Sequence, residues 1–361
     1  MHISLSRKVT IPHFGLVRQY KQHREEFLQA SDLALRSGQL DEGEFTKRFE
    51  EWLRHKTGAK YAITVNSGTQ ALEFIARYEL TRNPGQNTIK IPNLTYPATM
   101  NAFITAGWNV EICDTDNYGI FNPTEQDGIA CVVGLYGRKL APGYPCKFIV
   151  DAAQHWLVAD HTFGIGMAVS FDPTKNLPCS GNGGAIITDD KSLYDFAIDY
   201  RDQGGPHFRF AGTNSKMSEQ DCAQTLVRTK YIDAWQIRRF EIAKYWNDVF
   251  KDLPIRLMCD TQEPPSTIIR PPTNHAYQKY VIYSSERNSL HTSLILAGIE
   301  SKIHYQYTLG EIPSAAGIKK PDMMSVSMML SRGVLSLPLY PELTDSEVEY
   351  IADKVTEHCD K

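Results

Sequence analysis

The regular alternation that begins at Tyr61 limits the possible folds of this chain more than any other feature. Short β-branched runs (Tyr61–Val65, Thr88–Ile91, Val110–Cys113, Ala130–Leu135 and Lys147–Val150) are separated by helical stretches such as Gln70–Glu79 and Ala98–Ala106. Strands that repeatedly give way to helices return through right-handed crossovers, which predicts a mainly parallel sheet sandwiched by helices. Two further runs, Gly166–Phe171 and Ala185–Thr188, lie close enough in sequence to pair as neighbours. Ahead of the alternation, residues 18 to 56 are charged and helical, with apolar residues such as Phe27, Phe49 and Leu53 at helix-like spacing and a break at Gly38. Residues 190 to 250 are again helical, interrupted at Gly204-Gly205-Pro206 and at Gly212. The Pro-rich stretch from Glu263-Pro264-Pro265 to Arg270-Pro271-Pro272 reads as a boundary. Beyond it come a strand at Tyr280–Tyr283, a helix at Ser289–Ala297, strands at Ser301–His304 and Val334–Leu337, and a helix at Asp345–Thr356. The expectation is an α/β protein: a large domain with its helical amino-terminal segment over residues 1–250, and a small carboxy-terminal α+β domain over residues 251–361.

Charge and cysteine usage narrow the function. A formal net charge of −4 leaves no bulk positive field for a long nucleic acid. The seven cysteines are scattered with no Cys-x-x-Cys spacing, as expected for reduced thiols in the cytoplasm. The eleven histidines form no close-spaced ligand motif, so no metal is expected. No apolar run approaches the ~20 residues of a membrane span, and the amino terminus lacks the apolar core of a signal peptide, so no membrane partner is expected.

In a parallel α/β sheet, ligands bind at the carboxyl ends of the strands, so the polar residues that follow each strand carry the information. Asn66-Ser67-Gly68-Thr69 follows the first strand and opens a helix, offering free backbone N–H groups as a phosphate cradle or, more plainly, an N-cap by Ser67 or Thr69. Asp151 ends the Lys147–Val150 run with no adjacent charge partner; it reads either as a capping residue or as the counter-charge of a protonated pyridine nitrogen. Lys175 sits in the turn Asp172-Pro173-Thr174-Lys175-Asn176, either as a solvated surface lysine or as a desolvated amine of the kind Schiff-base chemistry requires. Gly181-Asn182-Gly183-Gly184 precedes a strand and opens no helix, so it is a close backbone approach and not a dinucleotide fingerprint.

Taken in order, Asn66-Ser67-Gly68-Thr69-Gln70-Ala71-Leu72, Asp151-Ala152-Ala153-Gln154, Ser170 through Asn176 and Gly181-Asn182-Gly183-Gly184-Ala185 resemble the sugar aminotransferases of the DegT/DnrJ/EryC1/StrS family, which are fold-type-I pyridoxal-phosphate enzymes. The likeness runs from Ile11-Pro12 and Tyr20 to Leu335 through Thr344. It implies that Lys175 bonds the cofactor and later moves the substrate proton, and that Asp151 faces the pyridine nitrogen. Gln154 would hydrogen-bond the ring oxygen and Tyr96 would stack on the ring. Gly68, Thr69 and Ser170, with Ser67 beside them, would hold the phosphate. Asn214, in a segment that resembles one reaching across a subunit interface, implies a homodimer with shared active sites. The implied reaction moves an amino group from an amino acid, in the family usually glutamate, to a keto sugar, with a nucleotide-linked one first in line. Acceptance of a cyclitol or other small ketone, and a non-catalytic cofactor- or sugar-binding regulator, are the alternatives. Three departures fall near the expected substrate contacts: Asn182 where the family usually has Glu, a short Gly204–Gly212 loop, and Gln306-Tyr307-Thr308-Leu309 where relatives often carry Pro and His. Some relatives place His at the Schiff-base position and dehydrate the sugar; Lys175 argues for transamination.

Overall fold

The computed structural model describes residues 11–141, 143–159, 164–259, 274–321 and 323–360. Two helices, α1 (Leu16–Arg36) and α2 (Glu44–Thr57), precede β1 (Tyr61–Val65) and α3 (Gly68–Arg82). Next come β2 (Thr88–Pro92), α4 (Pro97–Ala106), β3 (Asn109–Cys113), β4 (Ile129–Val133), β5 (Lys147–Asp151), β6 (Met167–Ser170) and β7 (Gly184–Thr188). Helices α5 (Lys191–Arg201), α6 (Glu219–Thr229) and α7 (Ile232–Phe250) lead to β8 (Arg256–Leu257), β9 (Tyr280–Tyr283), α8 (Arg287–Leu296), α9 (Ser325–Gly333), β10 (Val334–Leu337) and α10 (Asp345–Cys359).

The first seven strands form one sheet in the order β1-β7-β6-β5-β4-β2-β3. β7 pairs antiparallel with both β1 and β6, and every other pairing is parallel. Neighbouring side chains alternate between two cores. Ala62, Val132, Val150 and Val169 pack with Phe49 and Leu53 of α2 and Ile242 and Trp246 of α7. Ile63, Cys131, Ile149 and Ala168 pack on the other face with Leu72 and Ile75 of α3 and Phe103 of α4. Burial on both faces is why these strands read as continuous apolar runs. The expected α/β sandwich, including the pairing of β6 with β7, is therefore what the chain forms. One consequence matters for the site: the carboxyl ends of β1, β2, β5 and β6 and the amino end of the reversed β7 meet at one edge.

The carboxy-terminal sheet has the order β10-β9-β8 and is antiparallel throughout. Here the sequence reading needs correction. Ser301–His304 is not a strand; only Lys302 bridges to Ser336, through two backbone hydrogen bonds of 3.0 and 2.7 Å. The chain then leaves the sheet because His304 is drawn aside, its Nδ1 paired with Ser336 Oγ at 2.9 Å and its carbonyl accepting from the Tyr136 hydroxyl. β8 and α9 were not anticipated, and the Pro-rich boundary at 263–272 lies outside the described residues. Among the described residues no helix is long and apolar enough to cross a membrane.

Candidate active site

A cavity of about 420 Å³ opens at the shared strand edge, lined by Ser67, Gly68, Thr69, Tyr96, Asp151, Gln154, Ser170 and Lys175 among others. Eight of the nine site residues expected from the sequence thus converge. Asn214 is the ninth: it is exposed, bridged to Asp202, and does not line the cavity of its own chain.

At the end of β1, Ser67 caps α3 by accepting from the Gln70 N–H at 3.2 Å. The plain capping reading is therefore correct, and it coexists with the cradle, because the Gly68 and Thr69 amides find no partner among the described residues. Two glycines let this turn sit low over the sheet. A Cβ on Gly68 would stand 2.8 Å from Ser170 Cβ, and one on Gly184 would stand 2.3 to 2.5 Å from the backbone of Ser67 and Gly68. The result is an anion-sized recess against a helix amino terminus.

Asp151 ends β5 and is 7% exposed. Its carboxylate accepts from Thr99 Oγ1 at 2.8 Å and from the Ala153 N–H at 3.1 Å, and Thr99 is itself held by Thr95 at 3.1 Å. Burial pushes the Asp151 carboxyl up from its ordinary range, while the two hydrogen bonds and the charge of Lys175 pull it back down. It forms no ion pair among the described residues, so a buried carboxylate stands without a bonded cation. Gln154 is fixed at both ends: Oε1 accepts from the Tyr136 N–H at 2.6 Å and Nε2 donates to Tyr305 Oη at 3.1 Å. One Nε2 hydrogen remains for a ligand.

Lys175 rides on a tightly pinned turn. Its N–H donates to the Asp172 carbonyl at 2.9 Å, and the Thr174 N–H donates to Asp172 Oδ1 at 2.9 Å. Gln278 holds the Thr174 carbonyl at 2.8 Å, and Asn176 donates to Gln236 Oε1 of α7 at 2.8 Å. Burial lowers the basicity of the Lys175 amine, with Asp151 and then Asp172 acting in the opposite sense. A lysine biased toward its free amine is the state in which nitrogen attacks a carbonyl or accepts a proton. Tyr96 stands at the mouth, 59% exposed, its ring 6.0 Å from that of Tyr305.

Sequence reasoning missed Thr99, Lys279 and Tyr305 as part of this cavity, and placed His304 in a strand. Thr99 was legible only as a neighbour of Tyr96. Lys279 directly precedes β9, where a lysine ordinarily reads as a solvated strand end.

The residues fit pyridoxal 5'-phosphate: a glycine-floored anion recess, a buried carboxylate without an ion pair and a lysine of lowered basicity face one cavity. With the sheet topology, they define a pyridoxal-phosphate-dependent aminotransferase. The chain belongs to the DegT/DnrJ/EryC1/StrS aminotransferase family, whose sequence model matches residues 21–126 and 138–356. It is 28% identical over 377 residues to the dTDP-3-amino-3,4,6-trideoxy-alpha-D-glucose transaminase of Streptomyces venezuelae, covering 97% of each chain. It is 26% identical over 376 residues to the pleiotropic regulatory protein of Geobacillus stearothermophilus, covering 97% of this chain and 98% of that one. Among solved structures it is similar to S. venezuelae DesV in complex with a ketimine intermediate, with a TM-score of 0.84, 25% identity, and coverage of 97% of this chain and 99% of that one.

Proposed function

We propose that this protein transfers the amino group of an amino acid, glutamate in the first instance, to a keto sugar carried on a nucleotide. The observation that carries this reading is the convergence of Lys175, Asp151 and the Gly68 turn on one cavity. The transaminase relative named for a dTDP-sugar supports a nucleotide-linked acceptor.

When bound, pyridoxal phosphate supplies a carbon that accepts amines and a ring that withdraws electrons. The chain's own residues do the rest. The Gly68 and Thr69 amides, with Ser67 and Ser170, would hold the phosphate, and Asp151, positioned by Thr99 and the Ala153 N–H, would face the pyridine nitrogen. Gln154 Nε2 orients the ring oxygen and Tyr96 covers the ring face. Lys175 Nζ would hold the cofactor and would carry the proton to and from the substrate carbon. The exposure of Asn214 outside its own cavity supports a homodimer in which it reaches the partner's phosphate. The end of α7 at Phe250 supports a division between the large and small domains at 250/251.

The test is incubation with glutamate and a panel of nucleotide keto sugars, followed by mass spectrometry. The expected result is an amino sugar from at least one acceptor and none with Lys175→Ala. Amination of cyclitol ketones alone would move the acceptor, and no amino product from any ketone would overturn the proposal.

A further inference from the structure

A second lysine faces the cavity. Lys279 is only 6% exposed, yet it lines the same space as Lys175. Among the described residues no carboxylate lies within ion-pair distance of its Nζ; the recorded contact is the Phe14 ring, 6.0 Å away. The acid that acts on it is Asp172, whose Oδ1 already accepts from Thr174. The other basic groups nearby make matters worse. Burial, then the charge of Lys175, and to a smaller extent those of Arg239 and Lys302, press the Lys279 amine well below its ordinary value. Glu300 offers no relief, since it accepts from the His13 N–H at 3.0 Å and pairs with Lys302 at 3.4 Å.

Burying an amine among other cations is costly unless an anion arrives to meet it. The anion recess at α3 is built from other residues, so Lys279 marks a separate place in the cavity. His304 lines it too; its Nδ1 is committed to Ser336, and its Nε2 has no hydrogen-bond partner among the described residues. Among the described residues no arginine lines the cavity. One ammonium and one imidazole suit a compact monoanion better than a phosphate dianion, for which guanidinium forks are the usual match.

We infer that Lys279, with His304 beside it, is the recognition site for a substrate carboxylate. This rests on the aminotransferase reading above and names what that site holds. The carboxylate has two sources: the α-carboxyl of the amino donor, or a carboxyl on the acceptor sugar. Two of the positions that depart from the family pattern belong to the same neighbourhood in chain or cavity: Gln306 follows His304-Tyr305, and Asn182 lines the cavity.

The experiment compares wild-type holoenzyme with Lys279→Met, which keeps length and loses charge, and Lys279→Arg, which keeps charge. Cofactor content and circular dichroism establish that each variant is folded and loaded; Lys279→Gln replaces Lys279→Met if the latter is not. In the donor arm, binding of glutamate and of its α-amide is measured by calorimetry. In the acceptor arm, binding of a nucleotide-linked uronate and of its neutral hexose counterpart is measured with the cofactor in its amine form. Loss of a charge-assisted bond predicts a roughly ten- to hundredfold weaker Kd in Lys279→Met for the carboxylate ligand of one arm, no change for its neutral counterpart, and partial recovery in Lys279→Arg. The arm that changes identifies the source. Unchanged affinity for both carboxylate ligands in a folded, loaded Lys279→Met or Lys279→Gln overturns the inference. The spectral response of wild-type holoenzyme to glutamate is read in parallel, so that a failure of the aminotransferase reading is distinguished from a failure of the Lys279 assignment.

Discussion

Adding a single methyl group at Gly184 tests the cofactor cradle directly. A Cβ there would meet Ser67 C at 2.3 Å and Gly68 N and Ser67 O at 2.5 Å, all of them backbone atoms that no rotamer change can move. Gly184 cannot retreat, because it is paired with Val65 on one side and Ser170 on the other. Ordinary carbon contacts lie at ~3.5–4.0 Å, so the Ser67-Gly68 turn must rise by about 1 Å. Overpacking of this kind costs about 1–3 kcal/mol. The same rise lifts the Gly68 and Thr69 amides away from the phosphate; a lost hydrogen bond to a charged group costs about 1.5–3 kcal/mol, so the expected loss in cofactor affinity for Gly184→Ala is roughly ten- to 150-fold, at about 1.4 kcal/mol per factor of ten. Titration of apoprotein with pyridoxal phosphate, followed by absorbance, gives the number. Gly181→Ala is the control, because its Cβ would approach nothing closer than the Asp221 carboxylate at 3.8 Å. A folded Gly184→Ala protein that binds the cofactor within about twofold of wild type, where a lost charge-assisted hydrogen bond requires more, would refute the cradle.

Two further outcomes follow from the same geometry. Coexpression of Lys175→Ala with Asn214→Asp chains, each inactive alone, should restore roughly a quarter of wild-type activity if pairing is random and sites are shared, because half the dimers are mixed and half their sites intact; purified mixed dimers without activity would rule out sharing. Burial also holds four histidines neutral: His13 and His155 are lowered to about 3, His304 to about 2 and His275 well below the ordinary 6.5. The unfolded chain protonates these groups below pH 6.5 and the folded one does not, so stability should fall with decreasing pH from 6.5 toward 3, by up to about 1.4 kcal/mol per histidine per pH unit. Urea denaturation between pH 6.5 and 5, above most carboxylate titration, should show this slope, and a flat profile there would mean that the histidines are charged or hydrated in the fold.

The parts of the protein legible in the sequence share a physical cause. Strands buried on both faces must be apolar throughout, so β1, β9 and β10 could be bounded to the residue and the other buried strands nearly so. The turns after them must carry whatever polar chemistry the sheet edge presents, which exposed Gly68, Asp151 and Lys175. The failures are equally physical. Ser301–His304 has strand-like residues, but past the Lys302 bridge the His304 carbonyl and ring pair with the Tyr136 and Ser336 side chains, partners that come together only in three dimensions. β8 is too short to leave a pattern. Lys279 could not be told from a solvated lysine, because what sets it apart is the absence of a carboxylate in space.

The reversed strand β7 has a consequence for how such a site can diversify. A parallel strand would have to be reached by a crossover that starts at the cavity and ends at the far side of the sheet. Because β7 runs the other way, the connection from Lys175 to Gly184 begins and ends at the cavity wall, and Asn182 and Gly183 face the same space as the lysine. The cavity wall at Asn182 and Gly183 can therefore vary in length and chemistry by substitutions confined to one short connection, while the sheet register that carries Asp151 and the pinned turn that aims Lys175 stay untouched. Selectivity and catalytic geometry are written into separable stretches of the chain.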